Sequence, residues 1–228
     1  MKKNLLITAS LLCAAAGAMA QGTIFFNDRV SSSSFGTVVA PIFGPESDPT
    51  ISKKGNPVST WNGTSGPTPI PSGTQTYGGA PLVGTGYTAS LWGGVAGTDT
   101  EGTLRLVATA PFRVTTSQSL YGFWQAPSAA QVVPGVPSDP TIRGVFQVRV
   151  WDNKGGAIAS WAQVDPATVL HGSSDLFTVP FQLGALPSPT SPNIQGLQSF
   201  NLFVVPEPSV IALGVLGAGC LFLLRRRK

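Results

Sequence analysis

Val145-Phe146-Gln147-Val148-Arg149-Val150-Trp151 is the most regular run in the chain. Phe146, Val148 and Val150 fall on one side, and Gln147, Arg149 and Trp151 on the other. A period of two is the signature of a β-strand with one face on a core. Asp152-Asn153-Lys154-Gly155-Gly156 follows and reads as a turn, with two glycines free to take positive φ. Ala157 to Trp161 is then expected to return as a hairpin partner.

Working outward, similar short runs recur. They are Gly22 to Asn27, Val38 to Phe43, Tyr87 to Trp92, Leu104 to Thr109, Asp175 to Val179, Phe181 to Leu183 and Ser199 to Val204. In Tyr87-Thr88-Ala89-Ser90-Leu91-Trp92, the residues Tyr87, Ala89 and Leu91 share one side. Gly, Pro, Asn and Asp separate the runs, as they do in chains of short strands. No window between Gln21 and Val204 carries a helical stripe, and Pro166 to His171 is too short to form a helix alone. The expected fold is all-β: an antiparallel β-sandwich, jelly-roll or immunoglobulin-like, over residues 21–205. Two stretches interrupt the pattern. Residues 44–86 form a long Gly/Pro/Ser/Thr-rich loop holding Trp61 and Tyr77, and Ala126 to Pro140 is a shorter version of it. A loop that long is either partly unstructured or folded over one end of the domain.

The chain's ends differ in composition. Met1-Lys2-Lys3, an apolar run from Leu5 to Ala16, and Ala18-Met19-Ala20 have the order of a secretory signal. Signal peptidase would cut after Ala20 and leave Gln21 first. At the other end, Pro206-Glu207-Pro208 precedes an uncharged run to Leu224 and then Arg225-Arg226-Arg227-Lys228. Such a run can cross a bilayer as a helix, and the basic residues stop it on the cytoplasmic side. The 16 residues from Ser209 to Leu224 span about 24 Å, against a hydrocarbon core of about 30 Å. The expected division is therefore a signal peptide at 1–20, a β-domain at 21–205 and a sorting segment at 206–228.

The order Pro-Glu-Pro, apolar helix, basic tail resembles the PEP-CTERM sorting signal of exported bacterial proteins. The resemblance implies a membrane protease-transpeptidase, an exosortase, as a processing partner at Pro206, Glu207 and Pro208. It also implies membrane anchoring first and a cell-surface or extracellular destination afterwards. The opening at Gly22 to Arg29, the Tyr87 to Trp92 strand, the Val145 to Asp152 strand and Gly172 to Phe177 resemble uncharacterised exported proteins of the same group. That likeness implies no activity.

The chain's net charge of +4 comes from its ends. Residues 21–205 carry eight basic and nine acidic side chains. The basic isoelectric point is thus no argument for a nucleic-acid partner. Both cysteines, Cys13 and Cys220, lie in the terminal apolar runs, so the β-domain has no disulfide or thiol chemistry. His171 is the only histidine. In His171-Gly172-Ser173-Ser174-Asp175 the triad residue types are adjacent in sequence and suit a polar turn better than catalysis. Asp99-Thr100-Glu101-Gly102 and Asp152-Asn153 suit turns better than calcium. No metal site, catalytic residue or cofactor is nominated. Trp92 shares its strand side with Thr88 and Ser90, and Trp151 shares its side with Gln147 and Arg149. These are the two candidate sugar-stacking residues, unless other segments cover the rings. The expected role is a surface or extracellular-matrix structural or adhesive protein, not an enzyme. A carbohydrate-binding module with extracellular polysaccharide as partner is the alternative, and an extracellular hydrolase the third reading.

Overall fold

Alternating and β-branched runs become strands, and the Gly, Pro and Asn clusters become the joints between them. The computed structural model describes residues 21–30, 37–58, 73–185 and 191–206. Within them β1 is Gln21–Ile24, β2 Arg29–Val30, β3 Val38–Val39, β4 Tyr87–Val95 and β5 Arg105–Pro111. β6 is Gln131–Pro137, β7 Gly144–Asp152, β8 His171–Ser173, β9 Phe177–Thr178 and β10 Gly184–Ala185. Helix among the described residues is confined to three-residue 3-10 turns.

The largest sheet has the order β5-β4-β7-β8, and β9 pairs with β7 as well. A second sheet runs β10-β1-β6, and β2 pairs with β3. Every pairing between these strands is antiparallel. β4 and β7 are the longest strands and pair along their whole length, from Tyr87 opposite Asp152 to Val95 opposite Gly144. That register sets Ala89 against Val150 and Leu91 against Val148. All four are fully buried, together with Phe146. They join Ile24 of β1 and Val133 and Val136 of β6 in one apolar cluster, so both sheets contribute to the same core. Burial of this many apolar side chains is the main stabilising term in a domain without a cross-link.

Phe146, Val148 and Val150 face the core, as the alternation predicts. The opposite face differs from expectation. Gln147, Arg149 and Trp151 are also buried, so β7 is covered on both sides. The hairpin expected over Ala157 to Trp161 does not form. The neighbours of β7 are β4 and β8, and the chain after β7 makes two 3-10 turns, Lys154–Gly156 and Trp161–Gln163. Gly155 and Gly156 do take positive φ, 69° and 98°. They redirect the chain across the sheet face, not back along its edge. Pro166 to His171 holds a turn and then the first residue of β8.

The stretch from Ala126 to Pro140, read as a loop, contains β6. It carries Pro134 and Pro137, which give no N–H to a ladder. β6 tolerates them because it lies at the edge of its sheet, where one side needs no partner. The long loop is pinned where it is described. Gly44 N–H donates to the Ala80 carbonyl, Val58 N–H to Gln75 and Gln75 N–H to Asn56. Tyr77 stacks on Phe43 with centroids 4.0 Å apart, and its hydroxyl donates to the carbonyls of Gly55 and Ser199. Burial, then the nearby Glu46 carboxylate, raises the Tyr77 pKa well above the ordinary range. Residues 59–72 of this loop, with Trp61, lie outside the described residues.

The signal segment at 1–20 and the sorting segment from Glu207 to Lys228 also lie outside the described residues. Among the described residues, no helix is long and apolar enough to cross a membrane.

Candidate functional site

Trp92 and Trp151 belong to the outer face of the five-stranded sheet, the face turned from the core. A register shift in the β4–β5 ladder shapes it. Leu91 pairs with Ala108, but Trp92 pairs with Leu106, so Val107 is passed over. The bulge brings Leu106 and Thr109, three residues apart, onto the side that carries Trp92 and Ser90. Leu106 remains 48% exposed there.

The segment after β7 closes this face from the other direction. Asn153 anchors it. Its side-chain amide donates to the Thr85 carbonyl at 2.7 Å and to Thr88 Oγ1 at 3.0 Å, and its Oδ1 accepts from Gly156 N–H. A second anchor is Ser160-Trp161-Ala162-Gln163. Gln163 Oε1 accepts from the backbone N–H groups of Ala159 and Ser160, at 2.9 and 3.1 Å. This is the return arm of a capping box. It sets Trp161 edge-on to Trp151, with ring centroids 6.1 Å apart. Trp151 is 1% exposed, and its indole N–H donates to the Ile158 carbonyl at 2.9 Å.

Arg149 lies between two indoles. Its Cζ is 4.5 Å from the centre of the Trp92 ring and 5.6 Å from that of Trp161. Its Nε donates to Gln147 Oε1 at 2.7 Å and its Nη2 to the Glu101 carbonyl at 3.0 Å. Gln147 Nε2 in turn donates to Glu101 Oε1 at 2.9 Å. Burial lowers the Arg149 pKa, and the Glu101 carboxylate opposes that shift. An arginine stays protonated through such a change. The cation is therefore held by ring faces and by neutral oxygens as much as by the acid.

Between these elements is an apolar cavity of about 100 Å³, walled by Trp92, Trp151, Trp161, Leu106, Thr109 and Ser90. Its polar atoms face one another. Trp92 Nε1 donates to Ser90 Oγ, and Ser90 Oγ donates to the Arg149 carbonyl. Ligand pockets usually run from about 300 to 1,000 Å³. This one has room for a single small apolar group. The structure thus brings the two candidate tryptophans into one cluster but leaves Trp151 no open ring face outside the cavity. One face of Trp92 is occupied by Arg149. Trp161 is the residue that the sequence reading missed, and Ser160-x-x-Gln163 was the local signal for it.

The remaining candidates resolve individually. His171 is 8% exposed, between the rings of Trp161 and Phe203, with Nδ1 2.9 Å from the Val169 carbonyl. That distance places the proton on Nδ1, since a carbonyl only accepts. Ser174 Oγ donates to the Asp175 carbonyl and accepts from Val148 N–H, while the Asp175 carboxylate pairs with Lys54 at 2.9 Å. These groups are used in turns and packing. Asp99 accepts from Val95 N–H and Thr103 Oγ1, which lowers its pKa, while Glu101 reaches Gln147. The two carboxylates of that turn do not converge. Asp152 pairs with Lys154 and closes its own turn. Among the described residues, no group of three or more His, Cys, Asp or Glu side chains is placed to hold a metal.

At the processing points, Gln21 opens β1 and Pro206 is exposed. Ala18, Ala20, Glu207, Pro208 and Arg225, Arg226, Arg227 and Lys228 lie outside the described residues. Comparison with protein-family models, with curated proteins and with solved structures finds no match to this chain.

Proposed function

We propose that this is an exported bacterial protein whose β-domain serves a structural or adhesive role at the cell surface or in an extracellular matrix. Its two main sheets are taken as the layers of a sandwich. Signal peptidase releases it after Ala20. The C-terminal segment holds it in the inner membrane until an exosortase acts at Pro206 to Pro208. The observation that carries the reading is the ordered pair of terminal signals around a nearly neutral domain. The fold is compatible with both cuts. β1 starts at Gln21, and Val205 N–H donates to the Pro166 carbonyl just before Pro206. Among the described residues, neither cut falls inside a strand.

The test is intact-mass analysis of surface material from a host with an exosortase. The tail should be missing from near Pro206, and replacing Pro206, Glu207 and Pro208 by alanine should keep it attached. Unmutated surface protein that still carries Arg225 to Lys228 would overturn the reading.

A second reading, carbohydrate binding, is favoured by the Trp92–Trp161 cavity alone. Its test is a polysaccharide array with the mature protein and with Trp92→Ala. One saturable ligand that the variant loses would support it, and silence across the array would favour the structural role.

A further inference from the structure

We propose that Gln21, once it becomes the mature amino terminus, cyclises to pyroglutamate. The inference rests on the export reading, since it needs the cut between Ala20 and Gln21. Gln21 is the first residue of β1, and its side chain is exposed. Among the described residues, no hydrogen bond engages its side-chain amide. The amide is therefore free to meet its own α-amine.

The ladder holds the terminal residue by little. Gln21 stands opposite Pro137. Proline has no N–H, so this pair can make one ladder bond only, from the Gln21 N–H to the Pro137 carbonyl. Ring closure puts Cδ where the ladder hydrogen stood, as in proline, so cyclisation gives up at most this one bond. The rest of β1, with Thr23 and Ile24 fully buried, is left as it is.

The step is balanced without a co-reactant. The α-nitrogen lone pair attacks the side-chain amide carbon, Cδ. The new N–Cδ bond forms and the Cδ–Nε2 bond breaks. Ammonia leaves and takes the proton that the α-nitrogen gives up. The α-amine has an ordinary pKa of about 7.7–8.0, so a usable share is neutral at physiological pH. Closure of a five-membered ring benefits from the high effective concentration of an intramolecular reaction. The product has no free terminal amine, which denies aminopeptidases their substrate.

The test uses the full chain in a host that exports and processes it. Surface protein is treated at harvest with an amine-reactive label, then digested, and the N-terminal peptide is weighed. The expected peptide begins at residue 21, carries no label on its terminus and is lighter by one ammonia. Gln21→Asn cannot form the same ring, so its terminus should take the label. A residue-21 peptide of full mass and fully labelled would overturn cyclisation and leave export standing. A peptide that begins elsewhere would overturn the export reading at this cut, and cyclisation with it.

Discussion

The two faces of β7 are built on different physics. On the core face, Phe146, Val148 and Val150 are fully buried and belong to the apolar core cluster. On the outer face, Gln147, Arg149 and Trp151 are nearly as buried, but each donates a hydrogen bond to a turn-borne oxygen, on Ser174, Glu101 and Ile158 respectively. The first face depends on shape and the second on connectivity. Burial alone would rank them as equal. The cost of a substitution should not be equal, because a large-to-small change in a dry core loses transfer energy and leaves a cavity. On the connected face the loss is a buried oxygen left without its donor.

The largest expected effect is on the core face. Phe146 packs against Phe177 with centroids 6.1 Å apart, and Gly93 and Gly144 are pressed against its ring. Phe146→Ala should cost about 3–5 kcal/mol. Trp151→Ala should fall near the lower end of the same range, about 3 kcal/mol, because its ring already borders a cavity and a turn. Urea melts of the mature protein check both. Equal losses would mean that the 153–163 turn is as rigid as the core. A negligible loss at Trp151 would mean that the turn does not cover it in solution.

Arg149→Met comes next. Methionine keeps much of the aliphatic stem between the indoles but leaves Gln147 Oε1 and the Glu101 carbonyl without their donor. An unpaired buried acceptor costs about 1–3 kcal/mol. The change should also free the Trp92 ring face, which intrinsic tryptophan fluorescence reports as a shifted emission. A melt like that of the unmutated protein would show that the cation between the rings is incidental to stability.

How much of this was legible follows from the same contrast. The core face could be read because period-two alternation is a direct consequence of strand geometry, and β4 and β7 obey it over most of their length. The outer face could not. Its covering depends on where Asn153 and Gln163 place a turn, and those contacts join positions that no periodicity links. β6 was illegible for another reason. Pro134 and Gly135 break every strand rule except the one for edges, and a sequence does not say which strand will be at an edge. The long loop is held by single bridges and by Tyr77 on Phe43, a stacking pair 34 residues apart in the sequence. The candidate site was half visible: Trp92 and Trp151 were singled out, but their burial by Trp161 and Arg149 was not.

Asp28 offers a control for the connected face, as a buried acid with fewer partners. It is 1% exposed, and its Oδ2 accepts from Trp124 N–H at 3.2 Å. Burial raises its pKa well above the carboxylate range. The Trp124 and Asp28 N–H groups and the cations of Arg113 and Arg29 oppose the shift less strongly. The folded protein therefore holds this proton more tightly than the unfolded chain. Stability from the group is full below the unfolded pKa of about 3.9 and is lost as pH rises through the folded value. Asp28→Asn keeps an acceptor for Trp124 and removes the titration. Its melting temperature should exceed that of the unmutated protein at neutral pH, and the gap should close as pH falls toward 4 or below. A gap that stays constant with pH would mean that Asp28 is charged and satisfied in the fold.

The smallest effect belongs to the lip of the cavity. Leu106 is on the same face as Trp92, yet it is 48% exposed and makes no part of the core cluster. Its side chain has little apolar contact to lose, so Leu106→Ser should change stability by no more than about 0.5 kcal/mol. The position is still informative, because it separates structure from recognition. If the cavity takes an apolar group of a polysaccharide, Leu106→Ser should weaken that binding several-fold while the melt is unchanged. Trp151→Ala would disturb both together, so it cannot make the distinction. A Leu106→Ser protein that binds as before, in an array where Trp92→Ala does not, would confine recognition to the open side of Trp92. A Leu106→Ser protein that melts well below the unmutated one would show instead that the bulge at Val107 depends on this leucine, and that the lip of the cavity is part of the fold.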